Sequence, residues 1–303
     1  MNFYVTILGS GAAIPTLGRH CSAQVVNMNG FRMLLDCGES TQNQLRAYHQ
    51  KMQSLGHIFI SHLHGDHLFG LPGLLSTMHL CGRTEPVTIY APKGLRPVLE
   101  QLFEVSGTHL DYELVFVDLE GGGGEILRND KCVVKAFPIH HSMPCYGFLF
   151  EENIPYLNLR KEAREQYGLT PIDIVRIKRG EDYVADDGTV IPNEELTLPK
   201  RKALRYAYCC DTSYNEDLVP YVRGVDLLCL ESTFDKTRAD LAEQKQHCTA
   251  EQAGLLARQA GVGRLLLTHF SARYSDSRVL VEEAQTQFGN VTAADDGMCV
   301  EVR

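Results

Sequence analysis

The chain has 303 residues, a formal net charge of −9, and 44% hydrophobic against 22% charged residues. That length buries a core without staples, and no run approaches the roughly 18 apolar residues of a membrane helix. The first apolar run, residues 3–8, has no basic residues ahead of it, so no secretory signal and no membrane partner are expected. The acidic balance argues against a surface coated in nucleic-acid-binding charge and leaves room for a local basic patch.

Ten cysteines occur without a C-x-x-C pair, and most sit in apolar runs, as buried free thiols do. They point to a reducing, cytoplasmic setting. Residues 3–8 read as a buried strand broken by Gly9-Ser10-Gly11. No Lys-Ser/Thr follows those glycines and no G-x-G-x-x-G is completed, so they mark a tight turn and not a phosphate loop. Strands at 23–27 and 31–36 flank a turn at Asn29-Gly30. Residues 41–51 have helical spacing, 57–60 form a short strand ending at Ser61, and 68–80 form a helix with Pro72 near its first turn. A strand at 87–90, a helix at 95–105 and a strand at 113–117 follow. The four glycines at 121–124 read as a hairpin connection ahead of a strand at 131–138, and 146–150 is a further strand.

Residues 151–202 differ in being polar, with scattered Arg and Lys and with prolines at 155, 171, 192 and 199. They read as an excursion outside the main core. Alternation then resumes, with strands at 205–209, 227–230, 265–267 and 298–302 and helices at 215–221, 250–260 and 277–288. Such alternation predicts sheets covered by helices.

The segment Ile58-Phe59-Ile60-Ser61-His62-Leu63-His64-Gly65-Asp66-His67 places four metal-capable side chains within six residues, directly after a strand. His62 and His64 alternate and project the same way at a strand end. Gly65 permits a sharp turn, from which Asp66 and His67 can face a second ion. Imidazole and carboxylate suit zinc or a similar transition metal. One motif cannot complete two sites, and other predicted strand ends supply the remainder: His140-His141, Asp211 and His269.

This pattern resembles the metallo-β-lactamase superfamily. Further segments, in order along nearly the whole chain, resemble one branch, the tRNA 3′-processing endonucleases of the ribonuclease Z family. They include Leu8-Gly9-Ser10-Gly11-Ala12-Ala13-Ile14-Pro15, Leu35-Asp36-Cys37-Gly38-Glu39, Cys210-Asp211-Thr212, Leu230-Glu231-Ser232-Thr233, His247-Cys248-Thr249 and Thr268-His269-Phe270-Ser271-Ala272-Arg273-Tyr274. The resemblance implies an α/β fold, a four-layer αβ/βα sandwich, spanning residues 1–303 as one domain with 151–202 as an inserted arm. In the family the ligand histidine stands six residues before the glycine of an aromatic-Gly pair, here Tyr146-Gly147, which selects His141 over His140. Two zinc ions are implied, with manganese or iron also suited to the set. His62, His64 and His141 would hold the first, Asp66, His67 and His269 the second, and Asp211 would bridge them. Asp66 would also orient or deprotonate the attacking water, His247 would protonate the leaving 3′ oxygen, and Glu231 would hold the other nitrogen of His247. Asp36 is expected to buttress the histidine motif by hydrogen bonding, and Arg273 to meet a phosphate.

The activity implied is removal of the 3′ trailer from precursor tRNA by a homodimer, the arm of one subunit gripping the tRNA that the other cuts. Arg176, Lys178 and Arg179 are the arm cations expected to meet phosphates. The family arm carries a Gly-x-Pro-x-Gly-Pro element, whereas Gly168-Leu169-Thr170-Pro171-Ile172-Asp173 lacks the second Gly-Pro. The alternative is a metal-dependent hydrolase of a small phosphodiester on the same scaffold, and, outside enzymes, a metal-binding scaffold that has lost catalysis.

Overall fold

Several strands of this chain are apolar on both faces, which requires a cover on each side. In the computed structural model, which describes residues 3–154 and 156–303, they form two packed sheets. Pro155, one of the prolines of the excursion, lies outside the described residues. The strands are β1 (Phe3–Gly9), β2 (Ala23–Met28), β3 (Phe31–Leu35), β4 (Leu55–Phe59), β5 (Val87–Pro92), β6 (Leu114–Leu119), β7 (Gly124–Arg128), β8 (Cys132–Ile139), β9 (Cys145–Glu152), β10 (Arg205–Cys209), β11 (Leu227–Glu231), β12 (Leu265–Thr268), β13 (Val291–Ala293) and β14 (Cys299–Glu301). One sheet runs β14-β1-β2-β3-β4-β5-β6 and the other β13-β12-β11-β10-β9-β8-β7. Strands β3 to β6 are parallel to one another, as are β10 to β13.

Val5, Ile7, Val26, Leu35 and Phe59 face the second sheet, where Phe137, Phe148, Phe150 and Tyr206 meet them. Their sequence neighbours Leu8, Val25, Leu34 and Ile58 point the other way, onto Leu45, Leu74, Leu75 and Leu99. Those last residues belong to the helices Thr41–Ala47, Leu71–Leu80 and Leu95–Ser106. Helices Ala250–Ala260 and Arg278–Gln285 cover the outer face of the second sheet. The result is helix, sheet, sheet, helix: the four-layer αβ/βα sandwich of the metallo-β-lactamase fold.

The structure departs from the sequence expectation in particular places. The helix expected at 68–80 is two, Gly65–Leu68 and Leu71–Leu80. Gly70 interrupts them because its N–H is turned to the Cys37 carbonyl at 2.9 Å, against a backbone so close that a Cβ would sit 2.0 Å from the Gly38 oxygen. Strands β7 and β13 have no counterpart in the sequence reading; both lie at sheet edges and carry no fully buried residue. Helix Ala239–Lys245 buries only Ala242, so it shows no apolar stripe to read.

The excursion joins β9 to β10 and leaves the sheet only after Glu152, because Glu151 still pairs with Arg205 and Glu152 with Cys132. Its root is fastened by Glu152, which accepts from Arg201 at 2.6 and 2.9 Å and from the Leu204 N–H at 2.9 Å. Beyond the root it has a small core of its own: Ala163, Leu169, Ile177, Ile191 and Leu196. Helix Pro171–Lys178 begins at a capping box in which Thr170 and Asp173 bond each other's backbone, with proline in the first turn. Among the described residues no helix is long and apolar enough to cross a membrane.

Candidate metal centre

Parallel strands deliver their C-terminal ends to one edge, and here each end carries chemistry. Residues 61–67 follow β4, His141 follows β8, Asp211 follows β10, Glu231 closes β11 and His269 follows β12. Asp36 and His269 hold left-handed backbone at φ 52° and 59°, unusual for residues with side chains and found where function over-determines a position.

The side chains converge in two sets. His62 Nε2 and His141 Nε2 lie 3.0 and 3.2 Å from His64 Nδ1. His67 Nε2 and His269 Nε2 are 3.4 Å apart, and each is 3.4 Å from Asp66 Oδ2. Asp211 stands between the sets. Its Oδ1 is 3.3 Å from His67 Nε2 and 3.1 Å from His269 Nε2, while its Oδ2 is 3.7 Å from His62 Nε2 and 3.8 Å from His141 Nε2. Nitrogen and oxygen lone pairs crowded this closely need a shared positive charge. Imidazole with carboxylate is the donor chemistry of divalent transition metals, so the residues fit such ions.

On four of the rings the opposite nitrogen is occupied. His62 Nδ1 is 3.0 Å from Ser61 Oγ, His67 Nδ1 is 2.9 Å from Asp36, His141 Nδ1 is 3.0 Å from the Gln246 carbonyl, and His269 Nδ1 is 3.0 Å from Thr233 Oγ1. Such partners hold a ligand ring in place and choose its tautomer. Asp36 also accepts from the Ser61 N–H at 2.7 Å and from Tyr208 at 2.7 Å, with no exposure to solvent.

Burial drives His62 down to about 2 and lowers His141, so both rings are neutral at pH 7. Burial would raise the carboxyls of Asp66 and Asp211, but the surrounding imidazoles hold both well below the usual carboxylate range. At His67 burial opposes charge, yet Cys210, Asp211, Asp36 and Asp66 raise it well above its ordinary value. Positive charge is thus favoured at the centre of the acidic group. The Ala13 N–H fixes Asp66 from outside by donating to Oδ2 at 2.8 Å.

His247 lies beside both sets, its ring centroid 5.2 Å from that of His141 and 5.4 Å from that of His269. Its Nδ1 is 2.8 Å from Glu231 Oε1. Glu231 is fully buried and also accepts from the Thr212 and Cys248 N–H groups at 2.7 and 3.1 Å and from Thr233 Oγ1 at 2.6 Å. Burial alone would lower His247; the Glu231 carboxylate, with Asp211 and Asp66 adding to it, outweighs burial and raises the imidazole to about 9.

These groups open into a cleft of about 1130 Å³ whose walls include Phe69, Phe234, Lys245 and Arg273. Arg273 therefore joins the expected ligands at the site, whereas Arg176, Lys178 and Arg179 lie on or just after the arm helix and do not line the cleft. His140 turns away into a separate cavity beside Tyr221. Lys245, Phe69, Ser61 and Thr233 are not singled out by the sequence. For Thr233 a signal exists: it stands two residues from Glu231 at a strand end, the spacing that puts side chains on one side.

The protein named Ribonuclease Z from Bacteroides thetaiotaomicron is 41% identical to this chain over 301 residues, covering 99% of this chain and 95% of that one. The chain belongs to the ribonuclease Z family. A Ribonuclease Z of Porphyromonas gingivalis is likewise 41% identical, over 303 residues and 99% of each chain. The crystal structure of human tRNase Z, short form, superposes with a TM-score of 0.73 at 30% identity, covering 99% of both chains. YhfI from Bacillus subtilis, at 19% identity and a TM-score of 0.71 over 98% of both chains, shares the metallo-β-lactamase fold. Residues 3–158 also belong to the sequence family described as Anti-Pycsar protein Apyc1, a match that contains the first motif and His141 and stops within the arm. Family membership and the donor set together imply divalent metal binding.

Proposed function

We propose that this ribonuclease Z family member is a metal-dependent endoribonuclease that removes the 3′ trailer of precursor tRNA by hydrolysing a phosphodiester bond. Full-length likeness to proteins named Ribonuclease Z, arm included, carries the reading. It is supported by a cleft lined by His64, Asp66, His141, Asp211 and His269, with His62 and His67 buried directly behind them in the same donor groups.

Two zinc ions would suit the donors: His62, His64 and His141 would hold one, Asp66, His67 and His269 the other, and Asp211, whose two oxygens face different sets, would serve both. Bound there, such ions lower the pKa of water and neutralise charge on the scissile phosphate. The protein's own groups do the rest. Asp66, steadied by the Ala13 N–H, aligns the attacking water and takes its proton. His247 gives its Nδ1 proton to the hydrogen bond with Glu231, so its Nε2–H is the proton available to the departing 3′ oxygen. Arg273, over the Phe234 ring at the cleft wall, meets a substrate phosphate.

Residues 1–303 act as one domain, with 151–202 as the arm whose Arg176, Lys178 and Arg179 contact tRNA phosphates. The working unit is a homodimer in the cytoplasm, one arm serving the partner's cleft. The test is incubation of purified protein with end-labelled precursor tRNA and a metal series, mapping the cut nucleotide. A single metal-dependent cut at the 3′ trailer is expected. Turnover of a small phosphodiester with intact tRNA would favour the small-substrate hydrolase, and no turnover of either after metal reconstitution the inactive scaffold.

A further inference from the structure

Two buried carboxylates hold four histidines of this centre, two each, one directly and one through a hydroxyl. Asp36 takes His67 Nδ1 directly at 2.9 Å and also accepts from Ser61 Oγ at 2.9 Å, an oxygen that lies 3.0 Å from His62 Nδ1. Glu231 takes His247 Nδ1 directly at 2.8 Å and also accepts from Thr233 Oγ1 at 2.6 Å, an oxygen that lies 3.0 Å from His269 Nδ1. The same three-part arrangement, carboxylate to hydroxyl to imidazole, thus occurs once in each donor set.

Proton counting gives this arrangement a direction. A hydroxyl has one hydrogen, and an ionised carboxylate only accepts. The Thr233 hydrogen is therefore committed to Glu231, and its oxygen is left to accept. His269 must then carry its proton on Nδ1. Its Nε2, the atom 3.1 Å from Asp211 Oδ1 and 3.4 Å from Asp66 Oδ2, keeps its lone pair. Ser61 Oγ has one partner more, Cys210 Sγ at 3.2 Å, whose S–H can donate to it; with its own hydrogen on Asp36 the Ser61 oxygen accepts from both, so His62 donates from Nδ1 and keeps Nε2 bare toward His64 and Asp211. Asp36, Ser61, His62, Glu231, Thr233 and His269 are all buried, so water does not substitute for a missing partner.

We propose that Ser61 and Thr233 are positioning residues, each setting the tautomer of one metal-ligand histidine in a different donor set, His62 and His269, on behalf of a buried carboxylate. The proposal rests on the two-metal reading above. Thr233→Val keeps the shape of the side chain and removes the hydroxyl; Thr233→Ser keeps the hydroxyl. Ser61→Ala is the counterpart in the other set. Each variant is checked for folding by circular dichroism, then titrated with zinc against a competing chelator, with bound metal counted by elemental analysis.

Removing such an outer partner typically weakens metal binding about 10–100-fold. Thr233→Val should loosen one ion by that factor and leave the other, and Thr233→Ser should restore it. Ser61→Ala should loosen the other ion. The set affected is identified by combination: Thr233→Val added to Asp66→Ala should cost little more, whereas added to His64→Ala it should weaken both ions. Wild-type protein that holds two ions, with variants that bind them equally well or lose both alike, would overturn the positioning role alone. Failure of Thr233→Ser to rescue would do the same. Wild-type protein that binds no metal would overturn both the role and the metal reading beneath it.

Discussion

His247 and Glu231 meet at 2.8 Å, with the carboxylate fully buried and the imidazole at the cleft wall beside both donor sets. The imidazole is held charged at neutral pH at the cleft wall, where the proposed reading needs an acid for the departing oxygen. His247→Ala should retain both metal ions yet cleave precursor tRNA about 10²–10⁴-fold more slowly. Single-turnover rates alongside elemental analysis check this. Because a His247 nitrogen lies within ligand reach of Asp211 and His269, loss of an ion in the variant would make it a metal ligand instead.

The same pair sets a pH dependence. Against the lowering effect of burial, Glu231, with Asp211 and Asp66 adding to it, raises His247 from an ordinary value of 6.5 to about 9, so cleavage should decline on the alkaline side as that proton is lost. In Glu231→Gln the main charge holding the proton is gone, and the alkaline limb should move to lower pH. Stability follows the same sign. A folded-state value above the unfolded one gives a contribution complete below pH 6.5 and lost as pH rises through about 9. Denaturant midpoints of wild type and His247→Ala should converge over that window.

Metal content separates the donors. His64→Ala should weaken one ion and Asp66→Ala the other, while Asp211→Ala should damage both, since its two oxygens face different sets. Elemental analysis after reconstitution with excess metal reads the outcome. One ion or none in well-folded wild type would remove the two-ion arrangement.

The arm is tested by charge. Reversal of Arg176, Lys178 and Arg179 to glutamate should spare hydrolysis of a small chromogenic phosphodiester and weaken precursor-tRNA cleavage through binding. Each phosphate left without its cation should also flatten the salt dependence of binding by about 0.7–0.9 in log–log slope, because one counterion fewer is released. Equal impairment on both substrates would show that the arm supports the fold or the cleft.

Much of this centre is readable in one dimension because its parts announce themselves locally. His62, His64, Asp66 and His67 crowd one short segment, and His141, Asp211 and His269 each follow an apolar run that can only be a buried strand. What surrounds them is not readable in that way. Thr233 and Ser61 look like any strand-end hydroxyls until Glu231 and Asp36 are seen opposite them. The Gln246 carbonyl that holds His141 depends on a left-handed backbone at φ 56°, which its side chain does not signal. Lys245 reaches the cleft from a helix with too little burial to show a pattern. The break at Gly70 comes from the close approach of the Cys37–Gly38 backbone, a property of packing and not of the helix that follows.

The excursion between Glu152 and Arg205 has its two ends on antiparallel neighbours, Glu151 lying opposite Arg205. To the sheet it is an overgrown hairpin loop, and a two-residue turn would join the same strands. Doubling the length of such a loop costs only about 0.6 kcal/mol in closure entropy. The segment can therefore be enlarged, exchanged or pared away by insertion and deletion while β9 and β10 keep their register and the strand ends keep their histidines. If the segment grips tRNA as proposed, substrate choice and bond-breaking chemistry would sit on separately inheritable pieces of the chain, free to diverge at different rates.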